Sequence, residues 1–182
     1  MEIATGVSPT VNLSNGAHTI TLKVTDASNE SNTDDVMITV EDTSPPTITL
    51  TTNVISLQPA NHKYVTLNLS AFATAASDGC DSAIDISDVV ISAVSSDEPE
   101  NNGNGDGNTT NDIAIAADCK SVQLRAERAD QLNGRVCTIT LKVKDAAGNV
   151  GTAVRKVFVP LTAGGTAIEG PGPGYSVTGC NP

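Results

Sequence analysis

A duplicated phrase constrains the fold of this chain more than any other feature. Residues 19–24 read Thr-Ile-Thr-Leu-Lys-Val, and residues 138–143 repeat the same string without change. Both copies continue to an Asp-Ala pair, at 26–27 and 145–146, and then to a turn and another β-branched run. Apolar residues at every second position are typical of a half-buried antiparallel strand. The phrase therefore predicts that the end of one β-sandwich module occurs twice.

Length and composition favour two small domains. The chain has 182 residues, 2% aromatic residues and no Trp, so its core must be built from Val, Ile, Leu and Ala, as in thin two-sheet sandwiches. We expect an all-β chain of tandem immunoglobulin-like antiparallel β-sandwiches, the first of them incomplete. The predicted domains are residues 1–44, residues 45–162, and a Gly/Pro-rich tail at 163–182 that docks on the second module.

The first module is short of strands. A loosely alternating segment at 3–13, a strand through 18–24 and a returning strand at 36–40 give about three strands, against roughly seven in a complete sandwich. Either the missing strands lie upstream in a longer polypeptide, of which Met1 is a fragment edge, or a neighbouring molecule supplies them by β-augmentation and builds a fibre. Two prolines in the linker at 41–46 stiffen the junction, so the modules should stand end to end.

The second module shows no helical period. Its predicted strands are 47–57, 63–73, 88–95, 112–117, 120–128, 135–144 and 152–160. The last hairpin gives the clearest pattern, with alternate apolar residues pointing inward on its first strand. These inward residues are Cys137, Ile139, Leu141 and Val143, and the return strand carries Val154, Val157 and Val159.

Charge excludes two classes of partner. The chain has 21 acidic and 10 basic residues, a net charge of -11 and a sequence pI near 4.3. Such a surface argues against binding to nucleic acid or to an anionic membrane. No apolar stretch approaches the ~20 residues of a membrane-spanning helix. Cations are the natural counter-partners.

An acidic, glycine-rich loop predicts a calcium site. Asn102, Asn104 and Asp106 are spaced at i, i+2 and i+4 and Gly107 follows, as at the start of a calcium-binding loop. Asp112 falls one residue short of the place where an EF-hand has its bidentate Glu, and no helices flank the loop. The predicted ligands are Asp97, Glu100, Asn102, Asn104, Asp106 and Asp112. The alternative is a solvated hairpin loop, because Asn and Gly form turns without metal.

A second calcium site is predicted at the module junction. There the linker residue Asp42 would share an ion with Asp145, close to the turn at 145–149 and the loop at 78–81. The alternative is that each Asp at a strand end caps a turn.

Four cysteines in a chain rich in Thr, Ser, Asn and Gly indicate a secreted protein in an oxidising compartment. None lies in a Cys-x-x-Cys motif, which argues against zinc. The expected disulfides are Cys80–Cys119 and Cys137–Cys180, the second pinning the tail. Other pairings remain open, as does an unbridged Cys137 in the core.

Sequons agree with an extracellular protein, and no residues suggest an enzyme. The candidate glycosylation sites are Asn12, Asn29, Asn68 and Asn108. The only histidines are His18 and His62, which lie in different modules and accompany no nucleophile–base arrangement. His18 occupies the position that Cys137 fills in the second copy of the phrase, so core packing explains it better than catalysis.

Two stretches carry a family resemblance. Val-Thr-Asp-Ala at 24–27 with Asp-Thr-Ser-Pro-Pro at 42–46 resembles the module endings of bacterial hyalin-repeat and PKD-type extracellular domains. Val-Gln-Leu-Arg-Ala-Glu-Arg at 122–128 and Tyr-Ser-Val-Thr-Gly-Cys at 175–180 resemble terminal modules of large bacterial secreted proteins. This second resemblance covers roughly 47–182 and implies an extracellular, C-terminal, non-catalytic module.

We therefore expect an extracellular structural or adhesion module of a bacterial surface or secreted protein. It would space its neighbours or polymerise into a fibre, stiffened by Ca²⁺ and disulfides, and its partners would be adjoining modules, copies of itself, or a surface glycan or protein receptor. The alternative is a carbohydrate-binding accessory module of a secreted hydrolase. Few aromatic rings are available for a sugar-binding platform; they are Tyr64, Phe72, Phe158 and Tyr175.

Overall fold

A computed structural model describes residues 3–101, 105, 107–130 and 133–182. The protein is all-β, with 43% of residues in strands and 3% in helices, which confirms the predicted class. Its strands form several antiparallel sheets, consistent with a β-sandwich. The chain divides into two compact units, Met1–Thr43 and Ser44–Pro182.

The N-terminal unit is a β-hairpin. Strand β1 is Gly16–Thr25 and β2 is Ser31–Val40, paired antiparallel from Gly16↔Val40 to Thr25↔Ser31. The segment 3–13 was expected to supply a further strand, and that expectation is wrong: no strand forms there. The strictly alternating residues of the duplicated phrase form a paired strand, whereas the loosely alternating residues at 3–13 do not.

The hairpin turn depends on one carboxylate. Asp26 Oδ1 accepts hydrogen bonds from the backbone N–H groups of Ser28 (2.8 Å) and Glu30 (3.0 Å). Asn29 takes the left-handed conformation, with φ of 63°, which Asn tolerates better than most residues. The turn sequence thereby fixes the register of the two strands.

The other strands of the described residues belong to the C-terminal unit. They are β3 Thr47–Leu50, β4 Ile55–Ser56, β5 Tyr64–Asn68, β6 Ala73–Ser77, β7 Val90–Ser96, β8 Ile113–Ile115, β9 Ser121–Arg125, β10 Arg135–Lys144, β11 Val150–Val159 and β12 Tyr175–Thr178. Two short 3-10 helices, Leu69–Ala71 and Ile86–Asp88, lie between strands. The strands predicted over 47–57 and 63–73 are therefore each interrupted.

The strands of this unit enclose one apolar core. The largest sheet has the order β12-β7-β10-β11-β4, and smaller sheets have the orders β5-β9-β8 and β3-β6. Strand β10 is central, antiparallel to both β11 and β7. Its inward positions are buried as predicted: Cys137, Ile139, Leu141 and Val143. Phe72, Ile91 and Leu124 from other elements complete the same core.

The C-terminal tail lies against the large sheet. Strand β12 pairs antiparallel with β7, from Tyr175↔Ser96 to Thr178↔Ala93. Backbone N–H groups of Gly174 and Gly179 donate to Ser96 O and Ser92 O, both at 2.8 Å. A Cβ at Gly179 would overlap the Ile91 carbonyl, so glycine allows the tail to approach β7 this closely.

Candidate functional site

The duplicated phrase has opposite surroundings in the two units. In β10 the side chains of Ile139, Leu141 and Val143 have no exposed surface. In β1 the equivalent residues include Leu22 and Val24, which are 61% and 60% exposed. Identical local sequence therefore forms a central core strand in one unit and an uncovered strand in the other.

The uncovered residues share one face of the hairpin. Directly opposed residues of an antiparallel pair point to the same side, and Ile20 faces Val36 while His18 faces Ile38. Val36 and Ile38 are also exposed. The same face also carries Asp34 opposite Leu22 and Asn32 opposite Val24. We call its apolar part and His18 the hairpin face: His18, Ile20, Leu22, Val24, Val36 and Ile38.

The two edges of the hairpin differ. In the central sheet, β10 pairs with β11 on one side and with β7 on the other; among the described residues β1 pairs with β2 alone. Strand β2 carries Asp34 and Asp35 in its middle, and charges of this kind discourage further strand pairing. The only charged residue in β1 is Lys23. The outer edge of β1 is therefore the more suitable one for another strand.

His18 does not reach a catalytic partner among the described residues. Its Nε2 lies 2.6 Å from Ser14 O, so the ring donates to the backbone of the preceding segment. It is half-buried, whereas Cys137 at the equivalent position of β10 is buried.

The acidic loop is held by backbone and side-chain donors. Asp97 Oδ1 accepts the Val136 N–H and Asp97 Oδ2 accepts the Gly170 N–H, both at 2.8 Å. Glu100 accepts the Asn111 N–H. The two carboxylates thereby connect the loop to β10, to the tail and to the residues before β8.

Tyr175 at the start of β12 adds a further contact to this loop. Burial and a hydrogen bond to Glu100 raise the pKa of Tyr175 to about 12, so the phenol remains protonated and keeps donating to Glu100.

A buried charge cluster lies beside the loop. Arg135, at the start of β10, is buried together with Glu98, Asp112 and Glu127. Its Nη1 lies 2.9 Å from Asp112 Oδ2, and its Nε lies 3.3 Å from Glu98 Oε2. Its Nη2 donates to Pro99 O at 3.2 Å. We call Glu98, Asp112, Arg125, Glu127 and Arg135 the charge cluster.

Arg125 approaches the cluster from β9. Its Nε lies 3.3 Å from Asp112 Oδ1, and its terminal nitrogens donate to the carbonyls of His62 (3.0 Å) and Thr110 (3.2 Å). Its guanidinium also stacks over Tyr64, 4.2 Å from the ring centroid. Lys could not replace Arg125 here, because only a planar guanidinium stacks on the ring while its nitrogens donate to two carbonyls.

These contacts correct part of the predicted calcium loop. Asp112 was expected as a ligand, but both its oxygens face guanidinium groups; it is a counter-ion of Arg125 and Arg135. The positions Asn102, Asn104 and Asp106 lie outside the described residues. Calcium binding by the loop stays a prediction.

The predicted junction residue Asp145 caps a turn. Its Oδ1 accepts the Asn149 N–H at 2.7 Å and its Oδ2 accepts Asn149 Nδ2 at 2.8 Å. Burial alone would raise the pKa of Asp145, but these bonds and further backbone N–H donors outweigh it and lower the pKa. Asp81 Oδ2 accepts the Ala146 N–H at 3.1 Å, so the loop at 78–81 does contact this turn. Asp42 belongs to the other unit, and a shared ion remains a prediction.

The disulfide differs from the expected pairs. Cys119 is bridged to Cys180, with 61 residues of sequence separation. Cys80–Cys119 and Cys137–Cys180 are therefore both wrong, and Cys137 is instead an unbridged core thiol. Burial raises the pKa of Cys137 to about 12, so it stays a protonated, unreactive thiol.

Cys80 takes no part in the bridge and is exposed. Its backbone N–H donates to Asp78 Oδ1 at 2.7 Å. The bridge was missed because cysteine pairing depends on distances in space that spacing along the chain does not reveal.

All four sequon asparagines are exposed: Asn12, Asn29, Asn68 and Asn108. Exposure permits modification and carries no information about whether sugar is attached, so these sites stay predictions.

Comparison with known proteins gives no match, either to a family model or to a curated protein. A search for spanning segments in the described part of the chain finds no helix with the length and apolar character to cross a membrane.

Proposed function

We propose that this protein is an extracellular structural and adhesion module of a bacterial surface, built from immunoglobulin-like sandwiches, whose N-terminal hairpin is completed by a strand from a neighbouring module or copy. The observation that carries the proposal is the different burial of the duplicated phrase, where Leu141 is wholly buried and Leu22 is 61% exposed. The phrase forms a core strand in β10, where neighbouring strands pair with it and cover it. The same phrase in β1, where it is exposed, is therefore suited to accept a further strand.

The C-terminal unit suggests how a donor strand would pair with β1. Strand β7 pairs antiparallel with β10 along the edge opposite β11. A donor strand would occupy the equivalent edge of β1 and make the same backbone hydrogen bonds. A strand at this edge lies in the plane of the sheet, so Leu22 and Val24 are fully covered only when the donor module also packs on the hairpin face. Full burial of an exposed side chain of this size is worth about 1.5–3 kcal/mol, and these two are already partly covered, so each contributes less than that.

The charge of the chain suits a structural role. A net charge of -11 limits non-specific association, while the hairpin face exposes several apolar side chains. The Cys119–Cys180 bridge would stabilise the folded module in an oxidising environment.

The test replaces exposed apolar side chains with charge. Leu22→Asp combined with Val24→Asp places carboxylates on the hairpin face, whereas the control Thr21→Asp places one on the opposite face of the same strand. We expect wild type and control to assemble with rising concentration and the double variant to stay monomeric. Sedimentation velocity and electron micrographs measure assembly.

A concentration-independent monomer of the wild type, with rapid amide exchange throughout β1, would contradict completion by a second copy. Equal assembly of the double variant and the control would show that the hairpin face is not the contact.

A further inference from the structure

The charge cluster contains more acid than base. It has three carboxylates, on Glu98, Asp112 and Glu127, and two guanidinium groups, on Arg125 and Arg135. All three carboxylates are buried. Full ionisation would leave an uncompensated negative charge in a site without bulk water, which is strongly unfavourable.

Glu127 has the weakest compensation of the three carboxylates. Its Oε1 lies 3.7 Å from Arg135 Nη1, and its Oε2 lies 3.7 Å from Arg125 Nε. These separations are too long for hydrogen bonds. Asp112, by contrast, accepts from Arg135 at 2.9 Å. The excess negative charge is therefore least stabilised on Glu127.

The hydroxyl of Thr109 faces more carboxylate oxygens than its single proton can bond. Thr109 Oγ1 lies 2.8 Å from Glu127 Oε1, 2.6 Å from Glu127 Oε2 and 3.1 Å from Asp112 Oδ1. A hydroxyl has one proton to donate, so it cannot satisfy three ionised oxygens at once. A second proton on Glu127 removes the repulsion, because a carboxylic acid can itself donate to Thr109 or to Asp112.

His62, which comes just before β5, is a further neighbour of Glu127. His62 Nδ1 lies 3.4 Å from Glu127 Oε2, and this imidazole is partly exposed. Within the part of the chain that the structure describes, the charged and titratable groups around Glu127 are thus Asp112 before β8, Arg125 in β9, Arg135 in β10 and His62.

We propose that Glu127 is a protonated carboxylic acid in the folded protein at mildly acidic pH, and that its ionisation as pH rises loosens the attachment of residues 107–112 to the end of β9. The proton leaves to solvent, and Thr109 then faces two ionised carboxylates. The cluster acts as a pH-sensitive latch on the acidic loop.

The raised pKa of Glu127 agrees with this geometry. Burial and the hydrogen bond to Asp112 raise the pKa of Glu127 from 4.5 to about 7, against the opposing effects of Thr109 and Arg135. A carboxyl group whose pKa is higher in the folded state binds more protons there than in the open state, so the latch weakens as pH rises from the unfolded value towards and through 7. The change of stability with pH is therefore opposite in sign to that of an ordinary salt-bridged Asp, which stabilises the folded state more as pH rises.

The direct test is a carbon-13 NMR titration of the side-chain carboxyl carbons of the whole chain. We expect one Glu resonance to titrate near neutral pH, and this resonance to be absent from Glu127→Gln. A Glu127 resonance that is already ionised at about pH 5.5, well below the shifted midpoint, would overturn the proposal. So would the absence of any Glu carboxyl resonance with a midpoint near neutral pH.

Hydrogen exchange tests the latch itself. After correction for the intrinsic exchange rate, the amides of 107–112 should open about tenfold more often near pH 8.5 than near pH 6. Glu127→Gln, which mimics the protonated acid, should abolish that ratio, and the control Glu169→Gln at an exposed ion pair should keep it. If Glu127→Gln fails to fold, the wild-type titration and exchange still decide. Equal opening at both pH values would refute the latch.

Discussion

Arg135 shows how one residue can join several elements. Its guanidinium meets Glu98, which follows β7, and Asp112, which precedes β8. Burial opposes the charge on Arg135, but Asp112 and the other nearby acids raise its pKa above the usual value. Because the carboxylates are equally buried, removing the cation would leave them without compensation in a dry site.

Replacing Arg135 should therefore be costly. Arg135→Met keeps the length of the side chain and removes its charge, and we expect a loss of about 3–5 kcal/mol of unfolding free energy. Urea unfolding followed by circular dichroism measures it.

The matched control is Lys156→Met, which breaks the exposed pair of Lys156 with Glu169. That change should cost about 0–1 kcal/mol. Equal losses for the two variants would show that the buried cluster contributes no more than a surface pair.

The sequence did not predict this cluster, and the reason lies in single residues. Alternation places Val122 and Leu124 inside, and both are buried. After β9, however, Ala126 and Glu127 are both buried, and Arg135 begins β10 buried beside Val136. A period of two cannot hold for consecutive buried residues: Glu127 is out of phase with Val122 and Leu124, so alternation places it outward. Arg135 is in phase with Cys137, but alternation does not show that a charged residue there is paired inside. Only the position of one element against another reveals their pairing.

At the scale of elements, prediction was best where packing is one-sided and regular. The strand predicted at 135–144 is observed as Arg135–Lys144. The strand predicted over 63–73 ends at Asn68 and is followed by a 3-10 helix, since Leu69 and Phe72 turn into the core there. Strand β12 was not predicted, because its four residues pair only through contact with the distant β7.

Strand β11 begins at a close backbone approach that demands glycine. A Cβ built at Gly151 would overlap the Pro46 carbonyl and lie 3.3 Å from Val143 Cγ1. Gly151→Ala should therefore push the start of β3 away from β11 and cost about 1–3 kcal/mol.

The control is Gly79→Ala, where an added Cβ meets nothing within 4 Å. Thermal unfolding compares the two variants. A Gly151→Ala protein as stable as the control would mean that the Pro46 segment moves aside without cost.

At the scale of the whole molecule, the duplicated phrase separates what local sequence can specify from what it cannot. The pattern predicted both strands and the shared inward set, and both strands formed. It also predicted that the N-terminal module is short of partner strands, and this stays a prediction; Leu22 and Val24 are exposed in the hairpin. It could not specify burial, because burial depends on strands elsewhere in the chain.

The C-terminal unit is cross-linked at both ends of its β8–β9 pair. The charge cluster lies where β8 begins and β9 ends, and Cys119 lies in the turn between them. The bridge from Cys119 to Cys180 joins this turn to the residues that follow β12, so the two sheets are covalently connected at the end opposite the ion pairs.

Losing that bridge should destabilise the unit through its unfolded state. A loop of 61 residues is closed by the bond, and the chain-entropy relation gives about 4 kcal/mol for a loop of that size. We expect Cys119→Ser combined with Cys180→Ser to lose about this amount in urea unfolding, and amides of β12 to exchange faster. Reductant should shift the wild type to the same midpoint and leave the double variant unchanged, while Cys80→Ser keeps the response of the wild type. A wild-type midpoint indifferent to reductant would mean that the β12–β7 pairing alone holds the tail.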